Sequence, residues 1–381
     1  MPSAMPFHPF AVEQFLSETE QGVVFNFSES GVHPMRYAEL FALAQIDTEA
    51  LFDTLVDYPQ VNGSDLLRER IAALYDGAGP ENILVTIGAT EANTLIANTL
   101  LEPGDNMVVF RPTYEQMAGN ARNLGVEIRV VDLIEAEGWA LDGEGLARAV
   151  DDRTKIIHVV NPNNPTGCVL SEKDRAAIVV AADRSGAWIV ADEVYAGTER
   201  ATDTPTASFL GQADRVIAIN SMSKAYGLPG LRLGWLVALA DLIPALWRRH
   251  EYAAISASMM SMKLAEYALV PVTRAKLTAR ARGLIRRGFD TLTDALGAHP
   301  GVFSVVPPQA SAMSFVRFDL PLGADSFAAG LLQDHDVLVI PGTKFGLKGH
   351  LRISSALPDA HLCEGLDRLN RLTGDILSGA G

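Results

Sequence analysis

The sequence predicts an α/β protein: a large domain with a mostly parallel sheet covered by helices, and a smaller α+β domain from the C-terminal part and N-terminal segment. Between residues 83 and about 219, short β-branched runs alternate with helix-length stretches, the rhythm of strands joined by crossover helices. Those runs are continuously apolar, as strands buried on both faces must be. After Asp241 the pattern turns helical and then returns to strands, which marks a second unit.

The N-terminal part, up to roughly Leu74, reads as helical and loop-like. Its residues 1–48 are expected to pack with the small domain, 49–270 to form the large domain and 271–381 the small one. Residues 83–87, 107–110, 156–160, 188–191 and 216–219 read as strands, and 90–101, 115–124 and 172–185 as helices. Pro103-Gly104-Asp105 is a stop and turn between helix and strand; Ser171 with Asp174 three residues on reads as a helix N-cap with an acidic first turn. From Asp241 the chain is helical to about Ala298, with an interruption near Pro271. Residues 303–318 and 337–340 then read as strands, and 360–377 as an amphipathic helix.

Composition narrows the function classes. Against 31 Lys and Arg stand 46 Asp and Glu, a net charge of −15 across 381 residues, which argues against nucleic acid or an acidic membrane face as partner. The two cysteines, Cys168 and Cys363, are too few and too far apart for a disulfide framework or a zinc site, so no metal is expected and a reducing compartment fits better. With neither a leader pattern nor an apolar run of membrane-crossing length, the sequence reads as a cytoplasmic protein.

Stretches with special chemistry sit where strands should end, and in an open parallel sheet those ends face one crevice. Gly88-Ala89-Thr90-Glu91 follows a strand and opens a helix, so freed amides there can hold a phosphate; alone, such a glycine is more often simple turn chemistry. Asn161-Pro162-Asn163-Asn164-Pro165-Thr166-Gly167 has two X-Pro steps that fix an extended, turning path and present an amide rigidly, or it is a surface turn. Asp192-Glu193-Val194-Tyr195 follows an apolar run; a buried Asp192 requires a cationic partner such as a protonated ring nitrogen, whereas a solvated strand end requires none. In Ser221-Met222-Ser223-Lys224, continued by Ala225 to Trp235, a lysine of depressed pKa can form an imine. Arg232, eight residues on, and the hydroxyls of Ser221 and Ser223 can grip an anion. A solvated lysine in a Gly/Pro-rich loop is the plain alternative.

Taken together and in this order, these motifs resemble those of the class I/II aminotransferases, the fold-type I pyridoxal-phosphate enzymes, with the resemblance running from about Tyr58 to Ala356. It implies a large-domain sheet of the seven-stranded type and pyridoxal 5'-phosphate as cofactor. Lys224 then resembles the lysine that carries the cofactor as a Schiff base and shuttles the substrate α-proton, and Asp192 the carboxylate that keeps the pyridine nitrogen protonated. Tyr195 and Asn164 resemble the donors to the ring phenolate oxygen, and Ala89, Thr90, Ser221, Ser223 and Arg232 the phosphate cradle. Tyr114, in Arg111-Pro112-Thr113-Tyr114, stands where the family stacks an aromatic ring on the cofactor, with a core tyrosine as the alternative. Tyr58 is similar to the tyrosine that crosses a dimer interface to the partner's cofactor phosphate, which implies a homodimer. Arg352, in Leu351-Arg352-Ile353-Ser354, resembles the arginine that binds the substrate α-carboxylate, a task suited to its bidentate fork.

The N-terminal segment departs most from the family pattern. Ser28-Glu29-Ser30-Gly31-Val32-His33-Pro34 offers Gly31 as the match to the substrate-side glycine, and its Ser-Gly-Val element resembles the capreomycidine synthase branch, which cyclises instead of transaminating. His33 and Arg36 are candidates for substrate contact or for plain surface and packing roles, and the methionines of 256–263 for an adaptable pocket or for core. The leading expectation is a ping-pong aminotransferase acting on an L-amino acid and a 2-oxo acid. The alternative is a pyridoxal-phosphate lyase, decarboxylase or cyclase using the same residues. A ligand-sensing DNA-binding regulator is disfavoured by the charge of −15.

Overall fold

The computed structural model describes residues 7–379. Its strands in chain order are Phe25–Asn26 (β1), Ile83–Thr86 (β2), Asn106–Arg111 (β3), Glu127–Ile134 (β4), Ala140–Leu141 (β5), Thr154–Val160 (β6), Trp188–Asp192 (β7), Val216–Ser221 (β8), Gly234–Val237 (β9), Phe303–Val305 (β10), Met313–Phe318 (β11), Val337–Leu338 (β12), Ile340–Pro341 (β13) and His350–Ser354 (β14).

The large sheet has the order β2-β9-β8-β7-β6-β3-β4-β5. Pairing is parallel from β8 through β7, β6 and β3 to β4. Only β9 breaks the direction in this body of the sheet, lying antiparallel to both β8 and β2, so β2 points the same way as β8. Beyond the seven strands expected, Gly138 at φ +73 turns the chain back and Ala140–Leu141 adds a two-residue antiparallel edge to β4. Both faces are covered, which explains the continuous apolar runs. In β7, Val190 packs with Met107, Ile217 and Leu236 on one face, while Ile189 and Ala191 pack with Val108 and Ile157 on the other.

The helices Gly88–Leu100, Gln116–Asn123 and Glu172–Ser185 fall close to the expected positions. Ser171 caps the last of these: its Oγ accepts from Asp174 N–H at 3.2 Å, and Gly186 at φ +69 closes the other end. The interruption expected near Pro271 falls at residues 269–270, between the helix Met259–Ala268 and the 26-residue helix Pro271–Leu296, which Pro271 opens because a proline in the first turn forfeits no intrahelical bond.

The smaller layer is the antiparallel sheet β10-β11-β14-β13, with Phe27, Leu292, Phe327, Leu351 and Leu366 in its core. Helices Ala324–His335 and Asp359–Ser378 pack here. The N-terminal segment joins this layer through β1, which pairs in parallel with β12, Phe25 opposite Val337. From that anchor, Ser28, Glu29 and Ser30 run directly into the cavity described below. Among the described residues, no helix is long and apolar enough to cross a membrane.

Candidate active site

Because β2, β6, β7 and β8 point the same way, their carboxyl ends place Gly88, Asn161 to Asn164, Asp192 and Ser221 to Lys224 along one edge of the sheet. Arg352 arrives from the other sheet, on β14, and Tyr114 follows the end of β3. A cavity of about 470 Å³ at this edge is lined by Lys224, Asp192, Tyr195, Asn164, Tyr114, Ala89, Thr90, Ser221, Ser223, Arg232 and Arg352. Residues up to 263 positions apart in sequence thus share one site, as the crevice rule for open sheets requires.

Lys224 is half-buried, and its Nζ donates to Ser30 Oγ at 2.7 Å. Burial lowers the ammonium's pKa, and the positive Arg352 pushes it further, while Glu29, Glu13 and Asp192 oppose the shift. Asn164 Nδ2 donates to Tyr195 Oη at 3.1 Å, and Arg352 Nη1 donates to Asn164 Oδ1 at 3.0 Å. One polar chain therefore links the Tyr195 phenol through Asn164 to the buried guanidinium.

Asp192 is only 4% exposed, and burial pushes its carboxyl from 3.8 up to about 6. The Val194 N–H at 3.3 Å, the Asn93 amide and the charge of Lys224 offset only part of that penalty. Asn93 is itself fixed by Gln116, whose Oε1 accepts from Asn93 Nδ2 at 2.8 Å.

The loop after β2 is shaped for an anion. Gly88 sits at φ +72, and a Cβ there would lie 2.9 Å from Arg232 Nη2. Behind it Gly234 is required by close approach: an added Cβ would stand 2.6 Å from Gly88 C and 2.7 Å from Ala89 N. No side chain caps the start of helix Gly88–Leu100, so its first amides are free to meet a ligand, beside the Arg232 fork and the hydroxyls of Thr90, Ser221 and Ser223. Glu91 holds the loop, accepting Ile87 N–H at 2.6 Å and pairing with His250 Nδ1 at 2.8 Å.

Arg352 is 2% exposed, and burial disfavours its charge. Besides Asn164 it donates to the Ser28 carbonyl, yet its Nε has no partner. A buried guanidinium with a spare donor in a cavity is a site for a carboxylate.

Of the remaining candidates, Gly31 lies beside the lysine: a Cβ there would touch Ser223 O at 3.4 Å and Lys224 Cδ at 3.6 Å. Tyr58 lies outside the cavity and is 83% exposed. His33 turns outward and serves through its backbone, whose carbonyl accepts from Arg280 Nη2 at 2.9 Å. Arg36 borders a separate surface hollow with Tyr37 and Leu228. Met262 is core, packed with Leu264 and Ala265; Cys168 is buried and Cys363 exposed, both away from the cavity. Sequence reasoning missed Asn93, Gln116, Glu13 and Glu20, none of which belongs to a recognisable string, and gave no role to Ser30, although it stands in the Ser-Gly-Val element. Glu13 accepts from the Tyr114 hydroxyl at 2.7 Å, and Phe10 meets the Tyr114 ring edge-on at 4.9 Å, so the N-terminal helix Ala11–Thr19 closes one side of the site.

Pyridoxal phosphate fits these residues: the uncapped helix start and Arg232 suit its phosphate, the under-compensated Asp192 suits a protonated ring nitrogen, and Lys224 suits its aldehyde. A model of the family described as aminotransferase class I and II matches residues 37–369. Capreomycidine synthase of Streptomyces vinaceus is 32% identical over 380 residues, covering 98% of this chain and 95% of that protein. Among solved structures, a PLP-dependent aminotransferase from Streptococcus suis 89-1591 has a TM-score of 0.91 at 31% identity, covering 98% of this chain and 99% of that one. The PLP-dependent cyclase OrfR has a TM-score of 0.87 at 28% identity, with 97% of each chain covered.

Proposed function

The chain belongs to the class I and II aminotransferase family, whose cofactor is pyridoxal phosphate, and from that premise we propose that it moves an amino group from an L-amino acid to a 2-oxo acid in two half-reactions at Lys224. The observation that carries this reading is the Lys224 amine, its charge disfavoured by burial, in one cavity with Asp192 and Arg352. When bound, the cofactor supplies an electron sink for the charge left at the substrate α-carbon.

The residues divide the rest of the work. Lys224 would carry the cofactor and, when released from it, its Nζ would take the α-proton; burial, by disfavouring the ammonium, shifts the amine toward its proton-accepting form. Asp192, a buried carboxylate, would hold the ring nitrogen and keep a proton on it. Asn164 and Tyr195 would hold the ring oxygen, and Tyr114 would supply an aromatic face. Ala89, Thr90, Ser221, Ser223 and Arg232 would anchor the phosphate, and Arg352 would hold and orient the substrate α-carboxylate.

The exposed stretch Phe52, Leu55, Val56 and Tyr58, between 76% and 91% accessible, supports a homodimer in which Tyr58 reaches the partner subunit's phosphate site.

A second reading has specific support: the likeness to capreomycidine synthase and to the cyclase OrfR extends over nearly the whole chain, including the unusual N-terminal segment. The same residues would then direct a lyase, decarboxylase or cyclase reaction. Holoenzyme mixed with single amino acids and no acceptor separates the two. Stoichiometric 2-oxo acid with an aminated cofactor supports transamination. Ammonia, carbon dioxide or a cyclised product without 2-oxo acid supports the second reading, and an unchanged cofactor band with every amino acid contradicts both.

A further inference from the structure

The turn that opens the phosphate loop carries a negative charge of its own. Glu91 lies in the first turn of helix Gly88–Leu100, whose uncapped start reaches the cavity at Ala89 and Thr90, and its side chain is 10% exposed. One carboxylate oxygen accepts the Ile87 N–H at 2.6 Å and so fixes the backbone just before Gly88. That bond gives the loop its shape, but a bare carboxylate behind the helix start repels an incoming phosphate and opposes the field of the helix and of Arg232. Glu91 therefore needs a neutralising partner.

His250, on helix Ile243–Ala253, is 0% exposed and fills that role. Among the described residues it is the only Lys, Arg or His within ion-pair distance of Glu91. Its Nδ1 stands 2.8 Å from the second Glu91 oxygen, and its Nε2 stands 3.2 Å from the Val61 carbonyl oxygen, which no other donor reaches among the described residues. Two hydrogen bonds through one ring, with a carboxyl group on one side and a carbonyl on the other, require two protons. Whether the second proton rides on the imidazole or on the carboxyl, the Glu91–His250 unit carries no net charge. Withholding it would set two acceptors against each other away from water. The far end of the bridge is rigid: the Asn62 carbonyl accepts the Val85 N–H of β2 at 3.1 Å, and a Cβ on Gly63, at φ +103, would lie 2.3 Å from Val85 Cγ2.

Resting on the function proposed above, we infer that His250 is a positioning residue for the cofactor phosphate. It does not line the cavity and acts through Glu91, cancelling that charge and tying the loop at Gly88 to the rigid segment 61–63. The helix start then meets the phosphate with its positive field undiminished.

The test titrates the full-length apoprotein with pyridoxal phosphate and with pyridoxal, which lacks the phosphate, and reads the ratio of the two affinities from the absorption band of the cofactor. In His250→Asn, which keeps a donor near Glu91 but leaves its charge uncancelled, the ratio is expected to fall at least about tenfold. Adding Glu91→Gln, which keeps an acceptor for the Ile87 N–H and removes the charge, is expected to restore most of it, a rescue that a merely structural histidine would not show. Should His250→Asn not fold, Glu91→Gln alone decides, because with the charge already cancelled its ratio should match that of the unaltered protein. A ratio unchanged in His250→Asn, a double variant as weak as the single one, or a Glu91→Gln ratio about tenfold or more away from the unaltered protein overturns the inference and leaves the proposed function standing. An apoprotein that takes up neither ligand at Lys224 overturns both.

Discussion

Replacing Asp192 by asparagine is expected to stabilise the apoprotein while removing most of its catalytic power. In the folded chain burial raises the carboxyl from 3.8 to about 6. At about 1.4 kcal/mol per unit, keeping it ionised costs about 3 kcal/mol. The sign follows from which state binds the proton more tightly. With the folded pKa above the unfolded one, stability is greatest below 3.8 and is lost as the pH rises through about 6. The whole penalty therefore applies at pH 8 and roughly half of it at pH 5. Asparagine keeps the shape and the Val194 N–H contact, seen at 3.3 Å, without the charge. Urea unfolding of both apoproteins should give the variant an advantage approaching about 3 kcal/mol at pH 8, narrowing to about half at pH 5. The neighbouring Glu193, itself raised to about 7 by burial, is present in both proteins and so largely cancels. Turnover by the reconstituted variant should fall by about a hundredfold or more, since the ring nitrogen loses the charge that holds its proton. An asparagine variant no more stable at pH 8, or with the same advantage at both pH values, would refute this reasoning.

Gly88→Ala would put a methyl at positive φ, 2.9 Å from Arg232 Nη2; cofactor affinity, measured by fluorescence quenching on titration, is expected to fall at least about tenfold with little change in fold. Gly288→Ala sets a Cβ 1.8 Å from the Ser355 carbonyl, forcing the long helix away from the strand that carries Arg352, and the urea midpoint should drop by the equivalent of about 1–3 kcal/mol. Arg282→Ala leaves the 3% exposed Glu199 without the guanidinium now 2.9 Å away, a loss of about 3–5 kcal/mol in the same measurement.

Much of the site was legible because its motifs use residues that ordinary turns and strand ends do not need in that order. Gly88, Asn164, Asp192, Lys224 and Arg232 each sit within four residues of a strand or helix end, where local sequence reports local geometry. The N-terminal contribution was legible at Gly31 and in its packing with the small domain, but its polar contacts were not. Ser30 meets Lys224 across 194 positions and Glu13 meets Tyr114 across 101, and nothing in the string Ser-Glu-Ser-Gly encodes such a meeting. Strand β4 escaped because its residues are mostly half or fully exposed, with Glu127, Arg129 and Asp132 breaking the apolar run that marks the inner strands. Strand β9 was absorbed into the glycine-rich stretch after Lys224, since Gly234 reads as a turn until its close approach to Gly88 is seen. The break near Pro271 was legible because a proline cannot continue a helix from within, and here it opens the next one.

The covalent role of Lys224 can be read directly. Purified holoenzyme, reduced with borohydride and digested, should show a pyridoxyl group on the peptide containing Lys224 and on no other lysine, and the Lys224→Ala protein should show none and no turnover. A pyridoxyl group fixed elsewhere, or undiminished turnover in Lys224→Ala, would contradict the assignment of this cavity as the active site.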